Sequence, residues 1–352
     1  MNNATDTSSN SGCLADFEHQ SFEHLKIIHH AKLKATLIIA IHQLKNGFAI
    51  GGCRLNQYYN LECAVQDALK LSYAMSLKSA IHQLSCGGAK AVVMMQAKKE
   101  KTKALMHWIA DVVNQLKGQY VTAVDMGVTS NDMQTIAEKT PYVIATENNQ
   151  VIEPAYYTAL GVFHAICGAL KFKHGHTDLH KQHIAIHGVG QVGMHLIKIL
   201  LPHHCKISIF DHNPSVQSHP LITQAKASWE PSIFSLPCDV LVPCSVGGMI
   251  NPQTTPMIKS GIIVSAANNP HQSMQDLLTL HEQGTCVIPD FLANGGGLIA
   301  ACSSYLKQDG KIRLAQIQSI EQKTYDLLKQ SHEQNIPPQM LAEKLALQPL
   351  SS

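Results

Sequence analysis

Short apolar runs alternate along this chain with longer stretches in which apolar residues recur every three or four positions. The first pattern is typical of buried strands and the second of amphipathic helices. In the first half of the chain, the patterns predict strands at 24–29, 35–42, 91–95 and 120–124 and helices at 61–84, 102–116 and 129–137. Strands that alternate with helices indicate an α/β fold.

The alternation continues after a polar stretch at 147–154, where we place a domain boundary. Strands are predicted at 184–186, 207–210, 238–243, 261–265 and 287–288, and a helical tail is predicted at 312–346 with a break at Pro337-Pro338. Open parallel sheets bind ligands at the carboxyl ends of their strands, so the loops at 244–248 and 266–269 should line a cofactor cleft.

A glycine-rich turn follows the strand at 184–186 and consists of Gly188, Val189, Gly190, Gln191, Val192 and Gly193. Gly188 permits a sharp turn, Gly190 leaves room for a pyrophosphate, and Gly193 lets the next helix approach the strand. Asp211 ends the following strand about 20 residues later, where a dinucleotide fold places its ribose-binding acid. Because its carboxylate would repel a 2′-phosphate, the motif predicts NAD rather than NADP as the cofactor.

The composition is that of a folded globular protein, with 45% hydrophobic and 15% charged residues. A formal net charge of +2 predicts no nucleic acid and no membrane among the partners, although acidification would charge the 21 histidines. No run approaches the roughly 20 apolar residues that span a bilayer, and the polar first residues do not resemble a secretory signal. We therefore expect a cytoplasmic protein in which residues 1–18 form a disordered tail.

The cysteines and histidines leave a metal protein open as an alternative. The ten cysteines form no CxxC pair, which argues against a zinc ribbon or a thioredoxin motif. His203-His204-Cys205 and the pair His174 and His176 are the strongest candidate ligands. Neighbouring histidines in a loop usually point in different directions, so surface histidines are the favoured interpretation and no metal is expected.

Two lysines and one aspartate are candidate functional residues, although each position also has an ordinary structural explanation. Lys78 continues the buried face of a predicted helix, and Lys90 joins the Gly87-Gly88 turn to an apolar strand. Most such lysines extend their ammonium groups to water. Asp125 ends another strand, a position from which acids often cap the next helix.

Seven ordered motifs together resemble the family of glutamate, leucine, phenylalanine and valine dehydrogenases, from about residue 22 to residue 347. They are GGCR from Gly51, MSLK ending at Lys78, CGGAK ending at Lys90, TAVDMG around Asp125, the glycine turn from Gly188, AANN ending at Asn269, and NGGG from Asn294. The resemblance implies reversible, NAD-linked oxidative deamination of an L-amino acid to a 2-oxo acid and ammonia. It also implies a symmetric homo-oligomer.

The resemblance also gives an expected domain organisation. A substrate and dimerisation domain of the α/β class would span 19–150, a Rossmann-type doubly wound NAD-binding domain 151–310, and a C-terminal helical segment 311–352. The resemblance implies a catalytic cleft between the two domains and C-terminal helices that pack back on the first domain.

In the matching positions, Lys78 would bind the substrate carboxylate, Lys90 would activate the attacking water, and Asp125 would pass protons to and from the amino group. If Lys90 lies near Lys78, repulsion and desolvation would favour its neutral form. The remaining expected contacts with substrate are Gly51, Gly52, Met75, Ile50, Ala123, Leu298 and Ala301. The remaining expected contacts with NAD are Thr158, Ala267, Asn268 and Asn294, beside the glycine turn and Asp211.

The expected side-chain pocket is apolar. Ile50 occupies the position where glutamate-specific members carry a lysine, so burying a glutamate side chain there would be costly. We therefore predict leucine as substrate, with valine and isoleucine close behind. Phenylalanine is the alternative, because the segments at 154–163 and 288–297 look at least as much like phenylalanine dehydrogenases. A methylene group is worth only about 1–3 kcal/mol of discrimination, so the sequence leaves both open.

Three residues depart from the family pattern: Ala89, Val128 and Glu153. They raise the alternative of a non-catalytic NAD-binding regulatory protein that keeps the fold. The joint presence of Lys78, Lys90 and Asp125 favours an enzyme.

Overall fold

The computed structural model describes residues 21–95, 101–147, 150–151 and 153–348. The predicted tail at 1–18 lies outside these residues. The chain folds into two compact units. The first unit extends to Ser76 and resumes over Cys86–Thr146, and the second consists of Leu77–Ser85 and the chain from Glu147 onward. Of the described helices, none combines the length and apolar character needed to cross a membrane.

The first unit is built on a five-stranded sheet of mixed direction. Its strands are β1 (His24–His30), β2 (Ala35–Gln43), β3 (Ala49–Asn56), β4 (Gly87–Met95) and β5 (Tyr120–Val124), and its helices are α1 (Leu61–Ile81, which continues into the second unit), α2 (Lys103–Asn114) and α3 (Ser130–Ala137). The sheet order is β1-β2-β4-β3-β5. β1 and β2, the first two predicted strands, pair as an antiparallel hairpin, whereas β3 runs parallel to both β4 and β5.

Both faces of this sheet are covered over its central strands, which explains why β2 and β4 are buried almost throughout. One face packs on α2 and α3 through residues such as Leu37, Ile109 and Ile136. The other face packs on α1 through Ile38 and Ala68. The carboxyl ends of β3 and β5 therefore lie side by side at one edge of a rigid layer.

The second unit contains a six-stranded sheet in which every pairing is parallel. The strands are β8 (His183–His187), β9 (Lys206–Phe210), β10 (Ser228–Trp229), β11 (Val240–Pro243), β12 (Ile262–Val264) and β13 (Cys286–Ile288), and two short strands, β6 (Thr146–Glu147) and β7 (Gln150–Val151), pair near the start of the unit. The strand order is β10-β9-β8-β11-β12-β13, so successive strands are added outward in one direction from β8 and in the opposite direction from β11. This is the predicted doubly wound, Rossmann-type sheet, and ligands bind at its point of reversal.

The described residues of this unit also form eight complete α-helices. They are α4 (Pro154–His174), α5 (Gln191–Leu200), α6 (Pro220–Gln224), α7 (Met274–Glu282), α8 (Asp290–Ala293), α9 (Gly296–Tyr305), α10 (Gly310–Gln334) and α11 (Pro338–Leu347). The break predicted at Pro337-Pro338 separates α10 from α11. Within the unit, α10 packs against α4 and α9. The implied packing of the C-terminal helices on the first domain stays a prediction, as do the domain limits drawn from the sequence.

The end of α1 is built into the second unit, a feature that the sequence patterns did not indicate. The ring of His82 is buried, and its Nε2 lies 3.2 Å from the carbonyl oxygen of Phe291. Lys323 donates from Nζ to the carbonyl oxygen of Ile81 at 3.3 Å. Gly295 packs directly on the His82 ring, because a Cβ at Gly295 would lie 1.9 Å from Nε2. These contacts fix the segment that carries Lys78.

The packing of Gly295 against His82 gives the first testable prediction. Gly295→Ala should destabilise the protein by about 1–3 kcal/mol, the usual cost of overpacking a filled site. Removing the ring in a His82→Ala, Gly295→Ala double variant should recover part of that loss, which thermal unfolding would measure. Gly310→Ala is the matched control, because a Cβ there would meet nothing within 4 Å. A Gly295→Ala protein as stable as wild type would contradict the proposed packing.

Candidate functional site

The catalytic candidates Lys90 and Asp125 lie in contact with each other in the first unit. Lys90 lies on β4 and is 5% exposed, and its Nζ is 2.7 Å from Oδ2 of Asp125. Asp125 follows the last residue of β5. Arg54, on β3, donates from Nε to the same Oδ2 at 3.0 Å. One carboxylate oxygen therefore receives two cations.

Asp125 is ionised by its surroundings rather than by exposure to water. Burial alone would raise the pKa of this carboxyl group, but Lys90 and Arg54 outweigh burial and lower the pKa to about 2. Asp125 does not cap α3, because Thr129 accepts the hydrogen bond from the backbone N–H of Asp132 and the two residues form a capping box. Helix capping therefore does not explain an acid at this position.

The paired glycines Gly51 and Gly52 lie inside β3 and allow its neighbours to approach. A Cβ at Gly51 would lie 1.9 Å from the carbonyl oxygen of Ala89, and one at Gly52 would lie 2.8 Å from Cβ of Asp125. Gly52 thus leaves room for the Asp125 side chain. The phenol of Tyr120 donates to the carbonyl oxygen of Gly51 at 2.8 Å and holds that peptide in place.

The expected pocket residues are divided between the two units. Ile50 is fully buried on β3, while Met75 on α1 and Ala123 on β5 are half-buried in the first unit. Leu298 and Ala301 are buried on α9 in the second unit. All five side chains are apolar.

Lys78 belongs to the second unit, together with a group of amides. Its Nζ donates to Oδ1 of Asn268 at 3.2 Å, and Asn294 donates from Nδ2 to the same oxygen at 3.0 Å. Asn294 is buried and also donates to the carbonyl oxygen of Ala266. The lysine and the AANN and NGGG motifs, far apart in sequence, therefore meet. Because Lys78 and Lys90 belong to different units, the expected repulsion between them stays a prediction.

The glycine turn has the geometry expected for a dinucleotide. Gly188 has a φ of +98°, and a Cβ there would lie 2.7 Å from the backbone nitrogen of Ser245. Gly193 packs on the carbonyl oxygen of Gly188, where a Cβ would come within 2.4 Å. At Gly190, by contrast, a Cβ would meet nothing within 4 Å. The chain thus leaves space at the one glycine of this turn where a pyrophosphate must approach.

The remaining nucleotide candidates fit the same ligand. Asp211 accepts hydrogen bonds from the backbone N–H groups of Val189 and Asn213 at 2.7 and 2.8 Å, which fixes its carboxylate beside the turn. Gln191 begins α5 and Val192 follows it, so that the amino end of the helix faces the turn. Ala267 lies in the loop after β12, and Thr158 on α4 contacts Gly297, where a Cβ would lie 2.7 Å from Oγ1. These residues could hold NAD.

The three departures from the family pattern are accommodated without disturbing these groups. Ala89 is a buried β4 residue without a positive φ. Val128 is buried in the core of the first unit. Glu153 precedes α4, with its Oε2 3.7 Å from Nε2 of His195. Among the described residues, no group of three or more His, Cys, Asp and Glu side chains could hold a metal ion.

Comparison with protein families decides the identity. Residues 30–142 match the Glu/Leu/Phe/Val dehydrogenase dimerisation domain, and residues 208–336 match the Glutamate/Leucine/Phenylalanine/Valine dehydrogenase domain. The chain belongs to this family. It is an NAD-dependent amino acid dehydrogenase, an oxidoreductase that acts on the CH–NH2 group.

The relatives of this dehydrogenase differ in the substrate that their names give. It is 31% identical to leucine dehydrogenase of Bacillus cereus over 90% of this chain and 87% of the relative. It is 32% identical to phenylalanine dehydrogenase of Lysinibacillus sphaericus over 74% and 71%. The crystal structure of L-tryptophan dehydrogenase from Nostoc punctiforme superposes with a TM-score of 0.80 at 29% identity and covers 95% of this chain and 98% of that one.

Sequence reasoning missed three residues of the dehydrogenase that lie behind Asp125. Besides contacting Asp125, Arg54 donates from Nη1 to Oδ2 of Asp67 at 3.0 Å, and Tyr58 donates to that oxygen at 2.5 Å. Strand periodicity offered a signal, since Gly52 and Arg54 are two residues apart and face the same side of β3. The GGCR motif predicted a role for its glycines alone.

Proposed function

We propose that this dehydrogenase deaminates an aliphatic L-amino acid, with leucine preferred over valine and isoleucine. The observation that carries the proposal is Ile50, which is 1% exposed on the strand that also holds Gly51 and Gly52. A γ-carboxylate placed against such a side chain would lose its hydration without gaining a partner. Ile50 therefore supports a branched aliphatic substrate over glutamate.

We assign the chemical steps to three side chains. Lys78 binds the substrate carboxylate as an ammonium group, with Asn268 orienting it. Asp125 accepts a proton from the substrate amino group and returns one to the departing ammonia. Lys90 activates the water that attacks the oxidised carbon, so that the C–N bond breaks and a 2-oxo acid forms. When bound, NAD would supply the acceptor for the hydride that leaves Cα. The space at Gly190 and the carboxylate of Asp211 support its placement.

A ranking of substrates by kcat/KM tests this proposal. Initial rates of NAD reduction should follow the order leucine, then isoleucine and valine, then phenylalanine and tryptophan, with glutamate lowest. Phenylalanine remains the second candidate, because a relative of similar identity carries that name. A kcat/KM for phenylalanine above that for leucine would overturn the aliphatic assignment and leave the catalytic roles unchanged.

We also propose that the dehydrogenase is a cytoplasmic homo-oligomer. The matched dimerisation domain supports assembly, and the edge strand β1 exposes Leu25 and Ile27, which are 46% and 45% exposed. Nine cysteines of the described residues are free thiols, in keeping with a reducing compartment. Sedimentation of the purified protein as a monomer at micromolar concentration would contradict the proposed assembly.

A further inference from the structure

Arg54 connects the catalytic candidate Asp125 to a half-buried pair, Asp67 and Tyr58. On one side its Nε donates to Oδ2 of Asp125 at 3.0 Å. On the other side its Nη1 donates to both carboxylate oxygens of Asp67, at 3.3 and 3.0 Å. Tyr58 completes the row by donating its hydroxyl hydrogen to Oδ2 of Asp67. The side chains of Arg54 and Asp67 are 17% and 25% exposed, so these contacts are partly shielded from water.

The electrostatics of this row keep the protons on Arg54 and Tyr58. Burial lowers the pKa of Arg54, but the carboxylates of Asp125 and Asp67 outweigh burial and raise it. Burial and the charge of Asp67 together raise the pKa of Tyr58, which keeps its hydroxyl a donor. A guanidinium group is planar and offers donors in fixed directions, so it can join two carboxylates at a defined angle.

The two cations on Asp125 meet at one oxygen. Lys90 and Arg54 both contact Oδ2, from β4 and β3 respectively. Two donors on the same oxygen fix the rotation of the carboxylate about its bond to Cβ. The other oxygen, Oδ1, is then held in one direction and takes neither of these two contacts.

We propose that Arg54 is a positioning residue for amino-group proton transfer, because it holds Oδ2 of Asp125 so that Oδ1 meets the amine or the incoming ammonia. Asp67 and Tyr58 act behind it by fixing the guanidinium group. The proposal rests on the assignment of Asp125 as the proton-transfer group. Arg54, the arginine of the GGCR motif, would therefore affect the reaction of the amino group or ammonia. It would not affect binding of the 2-oxo acid or of NAD.

Reductive amination separates these roles, because ammonia, the 2-oxo acid and NADH can be varied independently. Arg54→Gln should lower kcat by about 100-fold, the scale of a misplaced catalytic group, and raise the KM for ammonia at least about tenfold. The KM for 4-methyl-2-oxopentanoate and the Kd for NADH should stay within about twofold of wild type, the scale of a surface substitution. Arg54→Lys should recover part of kcat, since an ammonium group can still reach Asp125.

Asp67→Asn provides a second test that leaves Arg54 in place. It should raise the KM for ammonia in the same direction but less than Arg54→Gln, and thermal unfolding should show that both variants fold. Equal increases in the KM for ammonia, the KM for 4-methyl-2-oxopentanoate and the Kd for NADH would indicate a general loss of structure and would overturn the proposal. If Arg54→Gln fails to fold, the other two variants decide. An unchanged KM for ammonia in both Arg54→Lys and Asp67→Asn would then overturn the proposal. A wild-type protein that aminates no 2-oxo acid would instead overturn the proposed function.

Discussion

Lys90→Ala should reduce turnover of the preferred amino acid by about 100- to 10,000-fold, the range for loss of a general acid or base. The side chain is buried and its Nζ lies 2.7 Å from Oδ2 of Asp125, so it is placed beside the proposed proton-transfer group and away from solvent. NADH binding should be unchanged, because Lys90 belongs to the first unit and the glycine turn belongs to the second. Steady-state rates and fluorescence titration with NADH would measure the two effects.

Lys103→Ala is the matched control for Lys90→Ala. Lys103 also pairs with a carboxylate, at 2.7 Å from Glu138, but its side chain is 64% exposed. Exposed ion pairs contribute only about 0–1 kcal/mol, so turnover and stability should both stay near wild type. Near-native rates in Lys90→Ala would remove Lys90 from the mechanism.

Gly190→Ala should weaken NADH binding by at least about tenfold, equivalent to about 1.4 kcal/mol, without lowering thermal stability. The protein itself tolerates the methyl group, because the φ of Gly190 is −74° and the position of a Cβ is open space. Only a ligand whose phosphates approach the backbone would meet that methyl group. Isothermal titration with NADH and thermal unfolding would separate the two quantities.

Gly188→Ala gives the contrast that makes this prediction specific. Its φ of +98° and the close approach of Ser245 mean that alanine would strain the turn in the free protein. Stability and NADH binding should therefore both fall in Gly188→Ala. Undiminished NADH binding in Gly190→Ala would show that the pyrophosphate does not lie at this turn.

The dinucleotide half of the fold could be predicted from sequence because its signals are local. The strand, the glycine turn, the helix and Asp211 lie within one short segment, and each has a steric or electrostatic reason at its own position. The helix α4 illustrates the opposite case. Its buried residues include Ala159, Val162, Ile166 and Leu170 on several sides, so it has no polar face and no period by which to recognise it.

The candidate site could be predicted only in part, because its contacts join distant segments. The motifs identified Lys90 and Asp125, but the contact of Lys90 and Arg54 with the same Asp125 oxygen depends on the parallel pairing of β3 with β4 and β5. The assignment of Lys78 to the second unit depends on His82 and Gly295, which are far apart in the chain. Local propensity carries no information about either packing arrangement.

The most direct test of the account is the stoichiometry of the reaction with leucine. Purified wild-type protein should convert leucine and NAD into NADH, ammonia and 4-methyl-2-oxopentanoate in equal amounts. The Lys90→Ala variant should form all three products at a much lower rate. NADH binding without product from leucine, isoleucine, valine or phenylalanine would contradict the account, and the protein would then be a nucleotide-binding member of the family without this activity.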